Sequence, residues 1–322
     1  MRPALTLFKR FHRLAEAAAF LGLLATLGGF LGGYLWFLEI FSHFRIQIAG
    51  RFIFYAGLEW AFRRHRHAAA SLALAAVNAA PALLLFFPPQ TRAAPAPHAP
   101  AAHLRILQAN ILTCNTNVPA LFNLVASESP DAIVLQEPDA WWLRQLAPLT
   151  NSYPVFATLP RDDNFGAAIF CKTNALSAEV FQLGDPEGAP CTRAQIAVGG
   201  RTVTVVGTHT LAPYDDAMWR GRNRYTRLLA DKLRGIKGPL VVSGDFNNTP
   251  WSAHLRAFLK DSGLADSSQG RGPLPTWPAS ALAPARIPLD HCFHSPDVRI
   301  LAKRPGPDIG SDHLPLIIDI AF

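Results

Sequence analysis

Cysteine is scarce in this sequence of 322 residues: it occurs four times, and no two copies form a Cys-x-x-Cys pair. A structural zinc site is therefore not expected, because such sites use cysteines paired at short spacing. The four are Cys114, Cys171, Cys191 and Cys292. Small buried residues are the simpler interpretation. A Cys171–Cys191 disulfide across neighbouring strands is the alternative if the domain folds in an oxidising compartment.

Net charge is missing from the last two thirds of the chain. Residues 1–100 hold ten Lys or Arg and three Asp or Glu, whereas residues 101–322 hold 20 of each sign. The positive excess of the protein thus lies entirely in the first third. A neutral domain has no basic field to attract a polyanion, so the overall charge does not by itself indicate nucleic-acid binding. We interpret the excess as a signal of membrane topology.

Charged residues are also absent from two long apolar runs near the N-terminus. The first covers residues 17–38, about 33 Å of helix at about 1.5 Å per residue, which is enough to cross a bilayer core of about 30 Å. The second covers residues 68–87 and is followed by two prolines. A weaker candidate, residues 46–62, contains Arg51 and Glu59, and an interfacial helix is its alternative. The sequence therefore predicts up to three transmembrane helices.

The distribution of arginine predicts the orientation of this transmembrane region, residues 1–87. If all three helices cross, the basic N-terminus and the basic loop 63–67 lie on the same side, and the positive-inside rule places both in the cytoplasm. The chain after Phe87 then emerges outside the inner or plasma membrane, on the periplasmic side. If residues 46–62 do not cross, the chain returns to the side of the N-terminus.

A segment rich in proline and alanine, residues 88–102, follows the apolar region and has the composition of an extended linker. Residues 103–322 then alternate short apolar runs with helical patterns, which predicts a single α/β domain. Strands are expected at residues 104–108, 132–136, 167–171, 194–198, 202–208, 240–243, 291–294 and 316–320, and helices at 118–127 and 216–233.

Four of the predicted strands lead into a residue that can bind a metal or transfer a proton. These residues are Asn110, Glu137, His209 and Asp245. Residues at strand ends meet at one rim of a sheet, where loops converge into a site. A turn-capping role explains any one of them, but is a poor explanation for all four together. Their oxygen ligands favour a hard cation, Mg²⁺ or Mn²⁺, over zinc.

Six short motifs occur in a defined order along the second part of the chain. They are Gln108-Ala109-Asn110, Gln136-Glu137, Thr208-His209, Gly244-Asp245-Phe246-Asn247, Leu289-Asp290-His291 and Ser311-Asp312-His313, with Thr276-Trp277-Pro278 before the fifth. This set resembles the endonuclease/exonuclease/phosphatase superfamily over residues 103–322, in a membrane-anchored bacterial branch. The resemblance implies a deoxyribonuclease I-like, four-layer α/β sandwich, here preceded by N-terminal transmembrane helices.

The resemblance also implies a metal site and a base. Glu137 would be the principal ligand of Mg²⁺ or Mn²⁺, with Asn110 and Asp312 near the ion. Asp245 would orient and deprotonate the attacking water, and Asn247 would hold a phosphate oxygen or the nucleophile. This division of labour agrees with the chemistry: hydrolysis of an anionic phosphoester needs a cation, a positioned base and donors for the developing charge.

Further polar residues are expected to contact the substrate. By the same resemblance, His313 would contact the scissile phosphate with Asp290 as its partner, and His209 would donate to the phosphate or assist the leaving group. Arg193, on a predicted strand, is a candidate for substrate binding. The arginines of the helix 216–233 are interpreted as a solvated or membrane-facing surface; they are Arg220, Arg222, Arg224 and Arg227.

These assignments predict a phosphoesterase that hydrolyses a phosphodiester or phosphomonoester of a lipid or small molecule near the membrane. A membrane-tethered nuclease acting on DNA or RNA is the first alternative. A catalytically inactive membrane scaffold is the second, and the intact set of carboxylates argues against it. The expected partners are the lipid bilayer and a phosphorylated substrate, and no obligate protein partner is evident in the sequence.

Overall fold

The computed structural model of the chain describes residues 2–88, 102–184 and 188–322, with side chains from residue 15 onward. The segment 88–102, predicted to be a linker, falls outside the described residues apart from its two ends.

One compact unit consists of residues 1–85 together with 251–253. Its four helices are α1 (Arg2–Leu31), α2 (Trp36–His43), α3 (Arg45–Ala61) and α4 (His65–Leu83). The part of α1 from Ala15 onward and α2 meet at an angle of 112°. Gly32 allows this close approach, because a Cβ atom on it would lie only 2.7 Å from the Cα atom of Glu39.

Only part of the predicted transmembrane region has the length and composition of a membrane span. Among the described residues, one helical segment, His65–Phe86, is long and apolar enough to cross a bilayer. The predicted helix 17–38 is interrupted, because α1 ends at Leu31, and its two bent pieces qualify only if they are taken together. Helix α3 lies where the helix 46–62 was expected, but at 17 residues it does not qualify. The expectation of three straight spans is therefore not confirmed.

The second compact unit, residues 86–250 with 254–322, contains two six-stranded sheets. In spatial order, the first sheet consists of β11 (Arg299–Pro305), β12 (Leu316–Ala321), β1 (His103–Asn110), β2 (Ala132–Gln136), β4 (Ala167–Cys171) and β3 (Val155–Leu159). The second consists of β5 (Ala175–Phe181), β6 (Cys191–Val198), β7 (Arg201–His209), β8 (Leu240–Asp245), β10 (Asp290–His294) and β9 (Ala265–Asp266). The β1–β2 and β7–β8 pairs are parallel, and the other paired neighbours are antiparallel.

The two sheets pack face to face, with helices outside. One apolar cluster joins both inner faces and includes Ile106 and Val134 from the first sheet and Val205 and Val241 from the second. Helices α5 (Val118–Glu128) and α6 (Ala140–Leu146) cover the outer face of the first sheet. Helices α7 (Asp216–Arg234) and α8 (Ala253–Ser262) cover that of the second. The predicted α/β fold with two sheets is confirmed.

Strands β2 and β4 are almost entirely apolar because both of their faces are covered. All five residues of β2 and all five of β4 are buried. Helix α7 instead has one buried face, and its N-cap residue is Asp215, whose side chain accepts a hydrogen bond from the backbone N–H of Met218. The packing of the two sheets brings the ends of β1, β2, β7 and β8 to the same edge of the sandwich.

None of the four cysteines forms a disulfide. Cys171 lies in β4 and Cys191 in β6, which belong to different sheets, so the alternative of a bridge between neighbouring strands is wrong. The Sγ atom of Cys191 lies 2.9 Å from the hydroxyl of Tyr225. Burial raises the pKa of Cys191 to about 11 and that of Cys171 to about 12. Both thiols are therefore protonated at neutral pH. The simpler interpretation as buried small residues holds for Cys171, Cys191 and Cys292, but it is wrong for Cys114, which is exposed.

Candidate active site

The residues predicted at the strand ends meet at one edge of the sandwich. Asn110 ends β1 in register with Gln136 of β2. In the second sheet, His209 lies in register with Asp245, and Asp245 in turn with Asp290. The sheets are joined here, because Asn110 Nδ2 donates a hydrogen bond of 3.2 Å to Asp245 Oδ2. A second bond across the sheets runs from Gln108 Nε2 to Asp290 Oδ1, at 2.9 Å.

Glu137 is held in a strained backbone conformation directly after β2. Its φ of +69° lies in the left-handed region, which is uncommon for residues other than glycine and is often found at functional sites. Its carboxylate accepts hydrogen bonds from Asn110 Nδ2 at 2.8 Å and from the backbone N–H of Thr113 at 3.3 Å. Burial raises the pKa of Glu137, although the charge of His209 and the bond from Asn110 act in the opposite direction. A cation beside this carboxylate would replace the solvation that it lacks.

Asp245 is a buried carboxylate beside two imidazole rings. Its Oδ2 atom lies 3.4 Å from His209 Nε2 and 3.5 Å from His313 Nε2. Its Oδ1 atom accepts a hydrogen bond of 2.8 Å from the backbone N–H of Asn247. Burial alone would raise the pKa of Asp245, but the charges of His313 and His209 and these hydrogen bonds lower it to about 2. Asp245 is therefore ionised at neutral pH.

His313 is fixed by a buried carboxylate on its other side. Its Nδ1 atom lies 2.7 Å from Asp290 Oδ2, which also accepts a hydrogen bond of 2.6 Å from Thr276 Oγ1. Burial opposes the charged ring, but the negative charges of Asp290 and Asp245 and the hydrogen bond to Asp290 raise the pKa of His313 to about 10. The structure thus brings the predicted His–Asp pair together, with a cationic ring at neutral pH.

His209 and Asn247 also lie next to Asp245. Burial disfavours the charged form of His209, but the hydrogen bond and charge of Asp245 and the charge of Glu137 raise its pKa. The side-chain nitrogen of Asn247 lies 3.3 Å from His209 Nε2 and donates to the carbonyl of Thr210 at 2.9 Å. Asn247 is also in the left-handed region, with φ of +46°. The strained turn at Asn247 therefore places its side-chain amide next to Asp245.

Asp312 sits in the turn before β12. Its Oδ2 atom accepts a hydrogen bond of 3.0 Å from Trp277 Nε1, while its Oδ1 atom is buried and has no hydrogen-bond partner among the described residues. The neighbouring Ser311 ties the turn to the end of β1 by donating to the carbonyl of Asn110 at 2.7 Å. A buried carboxylate oxygen without a partner is costly unless a cation or water satisfies it.

The donor set of the site fits a hard divalent cation. Glu137, Asp245, Asp290 and Asp312 carry four negative charges when ionised, which exceeds the charge that two imidazolium rings can supply. Ligand atoms of Asp245, Asp290 and His313 all lie within 4.8 Å of one another, which is close enough to share an ion. However, a protonated imidazole bonded to a carboxylate is not available as a ligand. Glu137 and the orphaned oxygen of Asp312 are the better candidates for holding Mg²⁺ or Mn²⁺.

Asn110 lies where it was expected, next to the proposed metal ligand Glu137. Its side-chain nitrogen donates to the carboxylates of Glu137 and Asp245, and its side-chain oxygen accepts a hydrogen bond from the backbone N–H of Leu112, so Asn110 holds both carboxylates in place. Arg193 is not brought to the site. It forms an ion pair with Glu179 on the neighbouring strand, at a register three residues before the end of β7.

The interpretation of the α7 arginines as a solvated or membrane-facing surface is wrong for Arg222. Its side chain is 0% exposed, and its Nη1 atom donates a hydrogen bond of 3.0 Å to the backbone carbonyl of Asn247. A signal for this was present in the sequence. Arg222 lies three residues after Trp219 and seven before Leu229, in the apolar stripe of the helix.

Known proteins share this fold. The model of the Endonuclease/Exonuclease/phosphatase family matches residues 107–313. An endonuclease/exonuclease/phosphatase from Bacteroides vulgatus is 20% identical, over 68% of this chain and 98% of that one, with a TM-score of 0.58. TDP2 of D. rerio complexed with a single-strand DNA product is 18% identical, over 68% and 98%, with a TM-score of 0.55. The catalytic domain of human nocturnin with bound sulfate is 21% identical, over 68% and 94%, with a TM-score of 0.55.

At these identities, the likeness to solved structures concerns the fold. No curated protein sequence matches the chain. The family model, however, extends over more than half of the chain, and its limits include all six motifs and every residue proposed for the site, from Asn110 to His313. The chain therefore belongs to the endonuclease/exonuclease/phosphatase family, whose members are hydrolases of phosphoester bonds.

Proposed function

We propose that this chain is a membrane-anchored, divalent-metal-dependent phosphoesterase that hydrolyses a phosphodiester or phosphomonoester of a lipid or small molecule. The observation that carries the chemistry is the ionised, buried Asp245 between His209 and His313. Attack of water on an anionic phosphoryl group requires a positioned base with proton donors close to it, and these three side chains provide both.

Glu137 would hold Mg²⁺ or Mn²⁺ with Asp312, while Asn110 would keep the Glu137 carboxylate in place. The bound ion supplies positive charge that polarises the phosphoryl oxygens. The strained backbone at Glu137 and the hydrogen bond from Thr113 aim the carboxylate before any ion arrives, which reduces the reorganisation that binding requires.

The hydrolytic step then divides among the remaining side chains. Asp245 orients the attacking water and accepts its proton as the new P–O bond forms. His313, kept cationic by Asp290, donates to a phosphoryl oxygen. His209 donates to the phosphate or to the leaving oxygen as the ester P–O bond breaks. The amide of Asn247 holds a phosphate oxygen or the water beside Asp245.

The membrane part of the proposal is supported by the helical unit taken by itself. Large apolar side chains of α1 are extensively exposed, among them Phe20, Leu24, Leu27 and Phe30. An apolar surface of this kind is typical of contact with lipid or with another protein. Asn78 on α4 donates a buried hydrogen bond of 2.9 Å to Thr26 on α1, a bond type that fastens helices in membranes.

A neutral domain at a membrane favours a lipid or small phosphorylated molecule as substrate, because a polyanion would find no net positive charge in residues 101–322. A membrane-tethered nuclease remains the second candidate. It is favoured by the likeness in fold to D. rerio TDP2, which was crystallised with a single-strand DNA product. The same carboxylates and imidazoles would serve either substrate.

A screen of phosphoesters separates these two functions. The full chain in detergent or liposomes is incubated with phospholipids, small phosphodiesters and phosphomonoesters, and plasmid and single-stranded DNA, in Mg²⁺ or Mn²⁺. We expect hydrolysis of a lipid or small-molecule ester that depends on the ion and disappears in an Asp245→Asn variant. Cleavage of DNA alone would establish the nuclease. Failure to cleave any ester with either ion would contradict the catalytic proposal.

The membrane proposal makes a separate prediction about topology. The basic residues 63–67 lie at the N-terminal end of the helical segment His65–Phe86, so a cytoplasmic location for them would place the chain after Phe87 outside the membrane. An alkaline phosphatase fused to the C-terminus should therefore be active, and a green fluorescent protein fused there through the general secretory route should not fluoresce. The reverse pattern would place the catalytic domain in the cytoplasm. Recovery of the chain in the soluble fraction would reject the anchor.

A further inference from the structure

A buried guanidinium group on helix α7 contacts the loop that follows β8. Arg222 has no exposed surface, and its Nε and Nη2 atoms donate to Asn223 Oδ1 at 3.1 and 2.9 Å. This two-point contact fixes the plane of the guanidinium group. The remaining nitrogen, Nη1, is thereby directed at the backbone carbonyl of Asn247, at 3.0 Å. An arginine is rarely buried to this extent, so its position calls for an explanation.

The carbonyl that Arg222 holds belongs to the strained residue of the site. Asn247 has φ of +46°, a conformation that most residues leave unless their surroundings hold it. Its backbone N–H is held by Asp245 Oδ1, at 2.8 Å, and its carbonyl by Arg222. Both ends of the residue are thus anchored. The side-chain nitrogen donates to the carbonyl of Thr210 at 2.9 Å and lies 3.3 Å from His209 Nε2 and 3.5 Å from Asp245 Oδ2.

The next turn of α7 braces the strand on the other side of the site. The hydroxyl of Tyr225 lies 2.8 Å from Thr208 Oγ1, and Thr208 directly precedes His209 in β7. Arg222 and Tyr225 are three residues apart and therefore share one face of the helix. A single helix thus contacts the backbone of Asn247 and the strand that carries His209.

We propose that Arg222 is a positioning residue for the phosphoester hydrolysis. It acts through Asn247, keeping this residue in its left-handed conformation so that the amide faces the phosphate or water held beside Asp245. The kinetic part of this inference rests on the proposed function, while the structural part does not. Arg222 itself does not reach the substrate, because its side chain is fully enclosed.

The first test compares two substitutions of Arg222 with a control on the same helix. Arg222→Met keeps the length of the side chain and removes every donor, whereas Arg222→Lys keeps the charge and one donor. We expect Arg222→Met to lower kcat by about ten- to a hundredfold with KM changed less than about twofold, because a small misplacement of a catalytic group has effects of this size. Arg222→Lys should recover part of the loss. The exposed Arg220, which pairs with Asp216, provides the control Arg220→Gln, which should leave kcat unchanged.

A double-mutant cycle distinguishes positioning of Asn247 from a general effect on folding. Asn247→Gly removes the amide and accepts the left-handed backbone without strain. If Arg222 acts through Asn247, then Arg222→Met should lower kcat less than about twofold in the Asn247→Gly background. Independent effects, in which the two losses multiply, would overturn the proposal, as would a loss in Arg222→Met that appears in KM alone.

Hydrogen exchange of the full-length protein tests the structural part without any substrate. In the wild type the backbone N–H of Asn247 is hydrogen-bonded, so its exchange should be slow. We expect faster exchange in the segment 245–248 of Arg222→Met and no change in Arg220→Gln. Unchanged exchange in Arg222→Met would overturn the proposal. Faster exchange in a protein that cleaves no phosphoester would support the brace and reject only the proposed function.

Discussion

Asp245→Asn is expected to lower kcat by about 10²- to 10⁴-fold, the range usually lost with a general base. Asparagine has nearly the same shape and can still accept the backbone hydrogen bond from Asn247 through its oxygen. It cannot take a proton from water, and it presents no negative charge to His209 and His313. The change therefore removes the base while the surrounding structure is kept. Steady-state kinetics on the best substrate of the screen, with saturating Mg²⁺ or Mn²⁺, measures the loss.

A matched control uses the same chemical change at the surface. Asp297 is exposed in the turn after β10, and Asp297→Asn should leave kcat within about twofold of the wild type. The thermal midpoints of both variants should be recorded, so that unfolding is not mistaken for loss of the base. A folded Asp245→Asn protein that keeps more than about a tenth of the wild-type kcat would remove Asp245 from its proposed role.

The second large effect concerns the metal. Glu137→Gln should raise the concentration of Mg²⁺ or Mn²⁺ needed for half-maximal activity by at least about a hundredfold, since even the residues that only support a metal ligand affect affinity by 10- to 100-fold. Glutamine retains an oxygen that can accept the hydrogen bond from Asn110, so the loss reports the missing charge. EDTA should abolish the activity of the wild type, and an excess of either ion should restore it.

Glu179→Gln provides the comparison for this substitution. Glu179 lies on β5, pairs with Arg193 and stands outside the cluster of site carboxylates. The Glu179→Gln variant should need the same concentration of Mg²⁺ or Mn²⁺ for half-maximal activity as the wild type. An unchanged KM would also show that the Glu179–Arg193 pair takes no part in substrate binding. Full activity of the wild type in EDTA, or an unaltered metal requirement in Glu137→Gln, would contradict the proposed metal site.

The sequence predicts which residues meet at the edge of the sandwich, because most of them lie at the ends of buried strands. The strands β2 and β8 are buried and read as apolar runs, so the position of their ends was recognisable. The four strands that were not predicted, β3, β5, β9 and β11, are the edges of the two sheets. Edge strands are short or carry polar and charged residues, as β11 does, and therefore lack the apolar signal.

Other features depend on three-dimensional contacts that no local pattern encodes. The break in the first apolar helix follows from a backbone approach at Gly32, and glycine in an apolar run is equally compatible with helix packing. The direction in which Asn110 turns its amide is decided by carboxylates that lie 27 and 135 residues away in the chain. Arg222 could be placed on the apolar stripe of α7, but its contact with Asn247 appears only when α7 packs against the second sheet.

Two hydrogen bonds cross between the sheets, from Asn110 to Asp245 and from Gln108 to Asp290, so the site forms only when both sheets are folded and packed together. Glu137 is carried by one sheet, and Asp245, His209 and Asp290 by the other. Neither half holds both the ligand for the ion and the base for the water. We therefore expect a partly folded chain, in which the two sheets have not yet packed together, to lack hydrolytic activity towards phosphoesters.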